Sequence, residues 1–294
     1  MKLIPPLLLA HLAMAIAMPA VAALNDIFPN DFYALPAGRG TATAYLYERQ
    51  QIGTYVKGRQ VGDFQGNSRI AALRLSRYYT VGGWKLAPVL VMSAADLQLA
   101  GTSIPATVDK HRSGWGDLRL GGTAWIIDNP QDRHFLGLNL MMVWPTGGYD
   151  KKELANPGEN RRRQALTLGW IKGLTDNLTL DLSPEIAWYG TNKESFPGSV
   201  EVKQERTLSL TGYLRFRFSP QWHAFIGGQI NEDGGTRVNG VDQDNPIQGR
   251  RVFVGGSYVF DPDNTLNLRW ATDNSVTTGL KTEHEITLRW VHGF

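Results

Sequence analysis

Apolar and polar residues alternate with a period of two along most of the chain, as they do in a β-strand whose two faces meet different surroundings. Near the C-terminus, Ile286, Leu288 and Trp290 stand at every second position, with polar residues between them. The alternation recurs along the sequence and predicts twelve strands. They cover residues 39–50, 68–80, 84–99, 114–127, 134–146, 163–172, 178–191, 203–218, 222–232, 250–260, 264–274 and 282–294.

The connections between these predicted strands alternate in length. Five are short and rich in Gly, Pro, Asp and Asn, which is typical of tight turns: residues 81–83, 128–133, 173–177, 219–221 and 261–263. Six are mostly long and polar: residues 51–67, 100–113, 147–162, 192–202, 233–249 and 275–281. An even number of two-faced strands, with short turns on one side and longer loops on the other, is the pattern of outer-membrane barrels. The sequence therefore predicts an all-β fold, a transmembrane antiparallel up-and-down β-barrel of about 12 strands over residues 39–294.

A barrel is the arrangement that lets a sheet cross a membrane, because hydrocarbon tolerates no unpaired backbone group and a closed sheet has no edge. Trp84 and Trp222 near the short turns, with Trp188 near the long loops, are typical of the aromatic belts at the two membrane interfaces. Pro88 and Pro184 fall inside predicted strands, and because proline lacks the N–H of a strand ladder, we expect local bulges there.

The N-terminus has the pattern of an export signal. Lys2 precedes an apolar stretch that ends in the small residues at positions 21–23. We therefore predict a signal peptide at residues 1–23 and a mature protein in the outer membrane of a Gram-negative bacterium. Residues 24–38 are apolar and precede the first predicted strand. Two interpretations stay open for them: a plug inside the barrel or a periplasmic tail.

Composition excludes several other classes of protein. The chain has 294 residues and no cysteine, which excludes a disulfide scaffold and a thiolate metal site. Its 30 basic and 27 acidic residues leave a net charge of only +3, so the sequence does not predict nucleic-acid binding. No residue pattern predicts a cofactor or a metal site. The expected partners are outer-membrane lipid and small solutes.

Charged residues on the polar faces of the strands would point into the barrel. As lumen or selectivity candidates we single out six of them: Arg74, Arg119, Glu185, Arg269, Glu285 and Arg289. Arg217 and Glu283 are assigned to the same interior face. Two interpretations stay open: the arginines attract anionic groups such as aromatic carboxylates, or the charges pair with one another and fill the lumen.

The C-terminus resembles the signal that the outer-membrane insertion machinery recognises, with Phe294 at the end and Trp290 among the alternating apolar residues before it. We expect that machinery to be a partner.

An outer-membrane barrel enzyme of the phospholipase or protease type is an alternative function. Two histidines, His111 and His284, lie at the long-loop side, and His284 falls opposite Thr272 and beside Asp273. A structural barrel that transports nothing is a further alternative.

A resemblance to a known family begins in the fourth predicted strand. Residues 114–118 (GWGDL), 144–151 (WPTGGYDK) and 154–160 (LANPGEN), together with residues 30–32 (NDF) and 35–38 (LPAG), resemble the family called MetA-pathway of phenol degradation proteins. The resemblance implies an outer-membrane barrel associated with the catabolism of aromatic compounds. It implies a channel or transporter that passes small hydrophobic or aromatic molecules inward, and it brings no catalytic residues.

Overall fold

The computed structural model describes residues 26–294 apart from residues 103, 105, 107, 198 and 199, so the predicted signal peptide, residues 1–23, lies outside the described residues. No helix long and apolar enough to cross a membrane occurs in the described part of the chain. The strands are β1 (Gly40–Val56), β2 (Arg59–Arg77), β3 (Tyr79–Val81), β4 (Trp84–Ala100), β5 (His111–Trp115), β6 (Leu118–Asn129), β7 (His134–Trp144), β8 (Arg163–Gly173), β9 (Leu178–Tyr189), β10 (Asn192–Ser195), β11 (Val200–Gln204), β12 (Thr207–Arg217), β13 (Trp222–Asp233), β14 (Thr236–Val238), β15 (Val241–Asp242), β16 (Gln248–Asp261), β17 (Asn264–Val276) and β18 (Gly279–Gly293).

Twelve of these strands form a closed antiparallel barrel, which confirms the predicted fold. Each pairs with its neighbour in the order β1, β2, β4, β6, β7, β8, β9, β12, β13, β16, β17 and β18, and β18 pairs with β1. The short strands β3 and β5 pair with the two ends of β4. Strands β10, β11, β14 and β15 form a separate four-stranded sheet from two connections at the long-loop end of the barrel.

The outward face of the barrel is apolar. Leu46, Ile226 and Leu268 are each more than half exposed, at 58%, 62% and 54%. Such exposure of large aliphatic side chains is unfavourable in water and is typical of a surface that meets lipid. Trp84 and Trp222 are also exposed, near the short turns. The sequence therefore alternates with a period of two because one face of each strand meets lipid and the other meets the barrel interior.

The predicted long connection 51–67 is wrong. β1 and β2 are 17 and 19 residues long and join at Lys57 and Gly58, within that predicted loop. β17 and β18 join at Thr277 and Thr278, inside the predicted connection 275–281, which is the shortest of the six. The strands continue beyond the point where the apolar alternation stops, because outside the bilayer both faces of a strand can meet water and no period of two is required.

Neither proline produces the expected bulge. The pairing of β4 with β6 runs through Pro88 without a register shift, and the break between β2 and β3 falls opposite it. The pairing of β9 with β12 is continuous at Pro184, whereas the ladder with β8 lacks pairs at Ser183 and Pro184. The missing N–H of each proline therefore interrupts one ladder and leaves the register intact.

The barrel interior is richer in apolar side chains on one side, which we call the apolar wall, and richer in charged side chains on the other, which we call the polar wall. The apolar wall is formed by β1, β2, β4 and β7, and its buried side chains include Tyr45, Tyr47, Ile70, Val89, Leu97 and Met141. The polar wall is formed by β8, β9, β12, β13, β16, β17 and β18, and its buried or half-buried side chains include Thr167, Asp181, Thr211, Arg251, Arg269, Glu285 and Arg289. A solute inside the barrel would meet both kinds of surface.

Candidate functional site

The centre of the barrel contacts the chain segment that precedes β1, residues 26–38, which we call the N-terminal segment. Phe28 and Phe32 of this segment are buried, at 1% and 7% exposure. The Tyr213 hydroxyl on β12 donates to the carbonyl oxygen of Ile27 over 2.9 Å. The Trp125 indole N–H on β6 donates to the carbonyl oxygen of Phe32 over 2.8 Å. Inward-facing side chains on separate strands thus bind the backbone of the segment.

The Phe32 ring occupies a space, which we call the Phe32 socket, that exists because two neighbouring wall residues, Gly137 and Gly169, have no side chain. A Cβ atom added at Gly169 on β8 would lie 1.9 Å from the Phe32 ring, and one added at Gly137 on β7 would lie 3.1 Å from it. The ring packs among buried aromatic residues that include Trp125 and Phe135. Glycine at position 169 is therefore a requirement of the seated segment, because no other residue leaves space for the ring.

The two carboxylates of the N-terminal segment meet three of the predicted lumen arginines. Arg269 Nη2 donates to Asp26 Oδ2 over 2.6 Å. Arg289 Nη2 donates to Asp31 Oδ1, and Arg74 Nη1 lies 3.6 Å from Asp31 Oδ2. The structure therefore brings Arg74, Arg269 and Arg289 together around the N-terminal segment. We call these three residues the arginine site.

The Phe28 ring also lies against the arginine site. Its centroid is 4.1 Å from the guanidinium carbon of Arg269 and 5.0 Å from that of Arg289, within the range of cation–π attraction. Tyr45 meets the same ring edge-on at 6.1 Å between centroids. Both the ring and the carboxylates of the N-terminal segment thus bind the same group of cations.

Glu285 is the barrel's own counter-ion in this region. It is 1% exposed and forms ion pairs with Arg49, Arg251 and Arg269. Arg251 also lies 3.5 Å from Asp273. Opposite charges therefore do pair inside the barrel, as one of the two sequence-based interpretations expected.

Two cavities lie inside the barrel, and the smaller is lined in part by Arg74 of the arginine site. The larger, about 210 Å³, lies toward the long-loop end and is lined by polar side chains that include Glu185, Gln229 and Arg251. The smaller, about 70 Å³, lies beside the N-terminal segment and is lined by residues that include Tyr47 and Arg119. The cavities place the last two of the six predicted lumen residues, Arg119 and Glu185, at the interior surface.

Two residues assigned to the interior by the sequence are exposed instead. Arg217 lies at the short-turn end and donates to the carbonyl oxygen of Asp176. Glu283 is exposed because the pairing of β1 with β18 shifts register between Gln50 and Gln51, which leaves Glu283 out of the ladder. A count of alternate positions cannot detect such a shift.

A buried polar network at the long-loop end was not predicted. Arg161 donates to Glu159 Oε2 over 3.0 Å and to Gln204 over 2.9 Å, and Gln204 donates to Asp233 over 3.0 Å. Burial by itself raises the pKa of Glu159, but Arg163 and Arg161 outweigh it, so that pKa lies below its usual value. The network links the connection at residues 145–162 to the small sheet, and no sequence motif marks a contact between two loops.

One apolar cluster joins the long-loop end of the barrel to the N-terminal segment. It includes Leu154 and Ala155 in the connection 145–162, Leu97 and Tyr45 on the apolar wall, and Phe28. Buried apolar side chains are therefore in continuous contact between the mouth and the centre of the barrel.

Comparison with known proteins assigns the chain to a family. The model of the family described as MetA-pathway of phenol degradation matches residues 49–284, most of the chain. The chain belongs to this family. A comparison with curated proteins finds no match.

Solved structures similar to this member of the phenol-degradation family include an outer membrane channel and parts of two autotransporters. The COG4313 outer membrane channel from Pseudomonas putida F1 is 25% identical, with a TM-score of 0.86, and the match covers 92% of this chain and 100% of the other. The transport unit of the autotransporter AIDA-I from Escherichia coli has a TM-score of 0.56 at 9% identity, covering 96% of each chain. The β domain of the Bordetella autotransporter BrkA has a TM-score of 0.50 at 12% identity, covering 88% of this chain and 100% of the other. The last two show likeness of fold alone. Together the closed barrel and the similarity to the outer membrane channel place the protein in the outer membrane of a Gram-negative bacterium.

The residues proposed for a barrel enzyme do not converge in this family member. Asp273 faces the interior, where it contacts Arg251 and accepts a hydrogen bond from the backbone N–H of Thr282 over 2.7 Å. His284 is exposed and lies beside Glu48 and Asp96 on the outside of the barrel. The two side chains thus occupy opposite faces of the wall. The similar solved structures include a channel.

Proposed function

We propose that this barrel is a channel through which small hydrophobic or aromatic molecules cross the outer membrane. The observation that carries the proposal is the continuous apolar cluster from Leu154 at the mouth to Phe28 at the centre. Ligand sites for such molecules are mostly apolar, with a few polar groups that fix orientation. The apolar wall and the facing polar wall supply both. The similarity to the channel from Pseudomonas putida F1 supports the same function.

In this proposal the N-terminal segment is a plug that must move before a solute can pass. Its buried rings, Phe28 and Phe32, occupy the centre of the barrel, and the larger cavity lies on the long-loop side of them. Its attachment is noncovalent, through hydrogen bonds, ion pairs and ring contacts. A segment held in this way can be displaced without any change to the strand ladders.

We infer a non-enzymatic role, supported by the separation of His284 and Asp273 on opposite faces of the wall.

We also propose that Trp290 and Phe294 belong to the signal for the insertion machinery. Both side chains are about half exposed on the outward face, and the Phe294 backbone pairs with Gly40. This leaves the rings available to another protein before the barrel closes.

Uptake by whole cells tests the channel function. Cells with and without the protein are given labelled toluene, benzoate and an aliphatic compound of similar size, and the initial rates are compared. We expect faster uptake of the aromatic compounds only when the protein is present. Equal rates in both strains for every compound would refute the proposal.

The role of the arginines in selectivity needs a separate test. If solutes pass them, replacing Arg74 or Arg289 by alanine reduces anion selectivity, measured as the reversal potential across a planar lipid bilayer. If they only pair with carboxylates, the same variants lower thermal stability and leave selectivity unchanged. An exposed arginine, Arg217, provides the matched control, since it lies at the short-turn end.

A further inference from the structure

An aromatic ring and a carboxylate of the N-terminal segment meet the same arginine. The guanidinium carbon of Arg289 is 5.0 Å from the centroid of the Phe28 ring, and Arg289 Nη2 donates to Asp31 Oδ1. The backbone N–H of Phe28 donates to Asp31 Oδ2 over 3.0 Å, which holds the carboxylate beside the ring. Together these two groups present the chemistry of an aromatic carboxylate.

We propose that the arginine site is a recognition site for aromatic carboxylates, and that such a ligand replaces Phe28 and Asp31 when the N-terminal segment leaves. This inference rests on the proposed channel function and names one class of substrate for it. The N-terminal segment then acts as an internal substitute for the ligand. It occupies the site until a molecule with the same two groups competes for the arginines.

The charges of the barrel wall favour such an exchange. Within the described part of the chain, the ion pairs of Arg74 and Arg289 are both made to Asp31. Arg269 shares Glu285 with Arg49 and Arg251 and has Asp26 as its additional partner. When Asp26 and Asp31 leave, the buried arginines outnumber the barrel carboxylates, and an uncompensated buried charge is strongly unfavourable. An entering carboxylate removes this penalty, whereas a neutral aromatic molecule does not.

The arginine site also has N–H donors without an acceptor and barrel aromatic rings close to its guanidinium groups, and both could bind a ligand. Arg269 Nε and Arg289 Nε are buried and have no hydrogen-bond acceptor among the described residues. Guanidinium groups bind carboxylates through two parallel N–H donors, so an unused Nε is a position for a ligand oxygen. On the barrel itself, Phe253 lies 4.8 Å from the guanidinium carbon of Arg269 and Tyr45 lies 5.7 Å from that of Arg289. These rings remain in place when Phe28 leaves.

There is space beside the site for the ring of a ligand. The smaller cavity, about 70 Å³, is lined by Asp31, Tyr45 and Arg74 together with apolar residues such as Ile70 and Met141. Departure of the Phe28 and Phe32 rings enlarges it. The ring of a ligand can therefore lie against the apolar wall while its carboxylate binds the arginines.

Calorimetric titration of the purified full-length protein in detergent tests the inference with three probes of similar shape. Benzoate has the ring and the charge, benzamide has the ring without the charge, and cyclohexanecarboxylate has the charge without the aromatic ring. We expect benzoate to bind at least tenfold more tightly than benzamide and more tightly than cyclohexanecarboxylate. Equal affinity for benzoate and benzamide would overturn the proposal.

Two substitutions sharpen the test. Asp31→Asn removes the charge of the internal competitor without changing its shape, so benzoate affinity should rise at least tenfold. Arg289→Gln should abolish the preference for benzoate over benzamide, whereas Arg217→Gln should not change it. If Arg289→Gln fails to fold, the benzoate affinity of Asp31→Asn still tests the proposal, because this variant keeps all three residues of the arginine site. Unchanged benzoate affinity in Asp31→Asn would contradict the proposal that Asp31 competes with the ligand for the arginine site.

Failure of this inference can be distinguished from failure of the channel function. If toluene uptake depends on the protein but benzoate does not bind, the channel stands and the carboxylate site is wrong. If benzoate binds with the expected preferences but no uptake depends on the protein, the site stands and the channel function is wrong.

Discussion

Replacing Gly169 by alanine is the sharpest way to release the N-terminal segment, because it changes no charge and no strand pairing. The added Cβ would lie 1.9 Å from the Phe32 ring, whereas ordinary van der Waals contacts lie at 3.4–4 Å. The ring must therefore move by more than an ångström, in a region where Phe32 is 7% exposed and closely packed. We expect it to leave its socket.

The size of the effect follows from the loss of a buried ring. Loss of a buried phenylalanine side chain costs about 3–5 kcal/mol. Since about 1.4 kcal/mol corresponds to a factor of ten, release of the N-terminal segment should become easier by roughly two to four orders of magnitude. The barrel should keep its stability, because alanine in a strand is as favourable as glycine or better.

Conductance across a planar lipid bilayer measures the release. We expect Gly169→Ala to be open for a much larger fraction of the time than the unmodified protein. Gly249→Ala is the matched control: this glycine also lines the interior, but its added Cβ would come no closer than 3.8 Å to any atom. If Gly169→Ala and Gly249→Ala conduct alike, the Phe32 socket does not hold the channel closed.

Three further predictions concern orientation, assembly and acid sensitivity. On intact cells, a cysteine at Asn156 should react with an impermeant label and one at Pro220 should not, since short turns face the periplasm in outer-membrane barrels; the opposite result would invert the topology. Deleting Phe294, whose backbone pairs with Gly40, should lower the amount of heat-modifiable folded barrel, and unchanged folding would limit it to a packing role. Because the pKa of Glu159 is lower in the folded protein than its usual value, the ionised carboxylate stabilises the loop network at any pH above the usual pKa of glutamate. This stabilisation is lost as the pH falls through the folded-state pKa. Protection of the loops against pepsin should therefore fall with pH in the unmodified protein, whereas Glu159→Gln should show weak protection at every pH.

The sequence predicts the membrane-spanning part of the fold well, for a physical reason. Lipid requires an apolar side chain at Leu288, and the interior accepts a charged one at Arg289, so the alternation is strict wherever the strand crosses hydrocarbon. Beyond the bilayer this requirement ends, and the extensions of β1 and β2 to Val56 and Arg59 carry no such pattern. The prediction is therefore most accurate where a strand has lipid on one face and the barrel interior on the other.

The candidate site is predictable in part. Arg74, Arg269 and Arg289 can be assigned to the interior because an arginine facing lipid is unfavourable. Their partners Asp26 and Asp31 lie in a segment with no strand pattern, and the contact of Arg289 with Asp31 joins positions 258 residues apart. Alternation orients side chains on a strand but does not show which distant segment meets them. The role of residues 24–38 therefore stayed open from the sequence alone.

The long hairpin of β1 and β2 has a consequence at the cell surface. A strand of about 9–11 residues is enough to cross a bilayer, whereas β1 and β2 have 17 and 19 residues. Because short turns face the periplasm in outer-membrane barrels, we expect its tip at Lys57 and Gly58 to stand outside the cell, where it would be accessible to antibodies and bacteriophages. The tip is tied to neighbouring loops by the ion pair of Lys57 with Asp244 and a hydrogen bond from Gly58 to Thr277. A short epitope inserted there would be displayed on a rigid support, remote from the lumen.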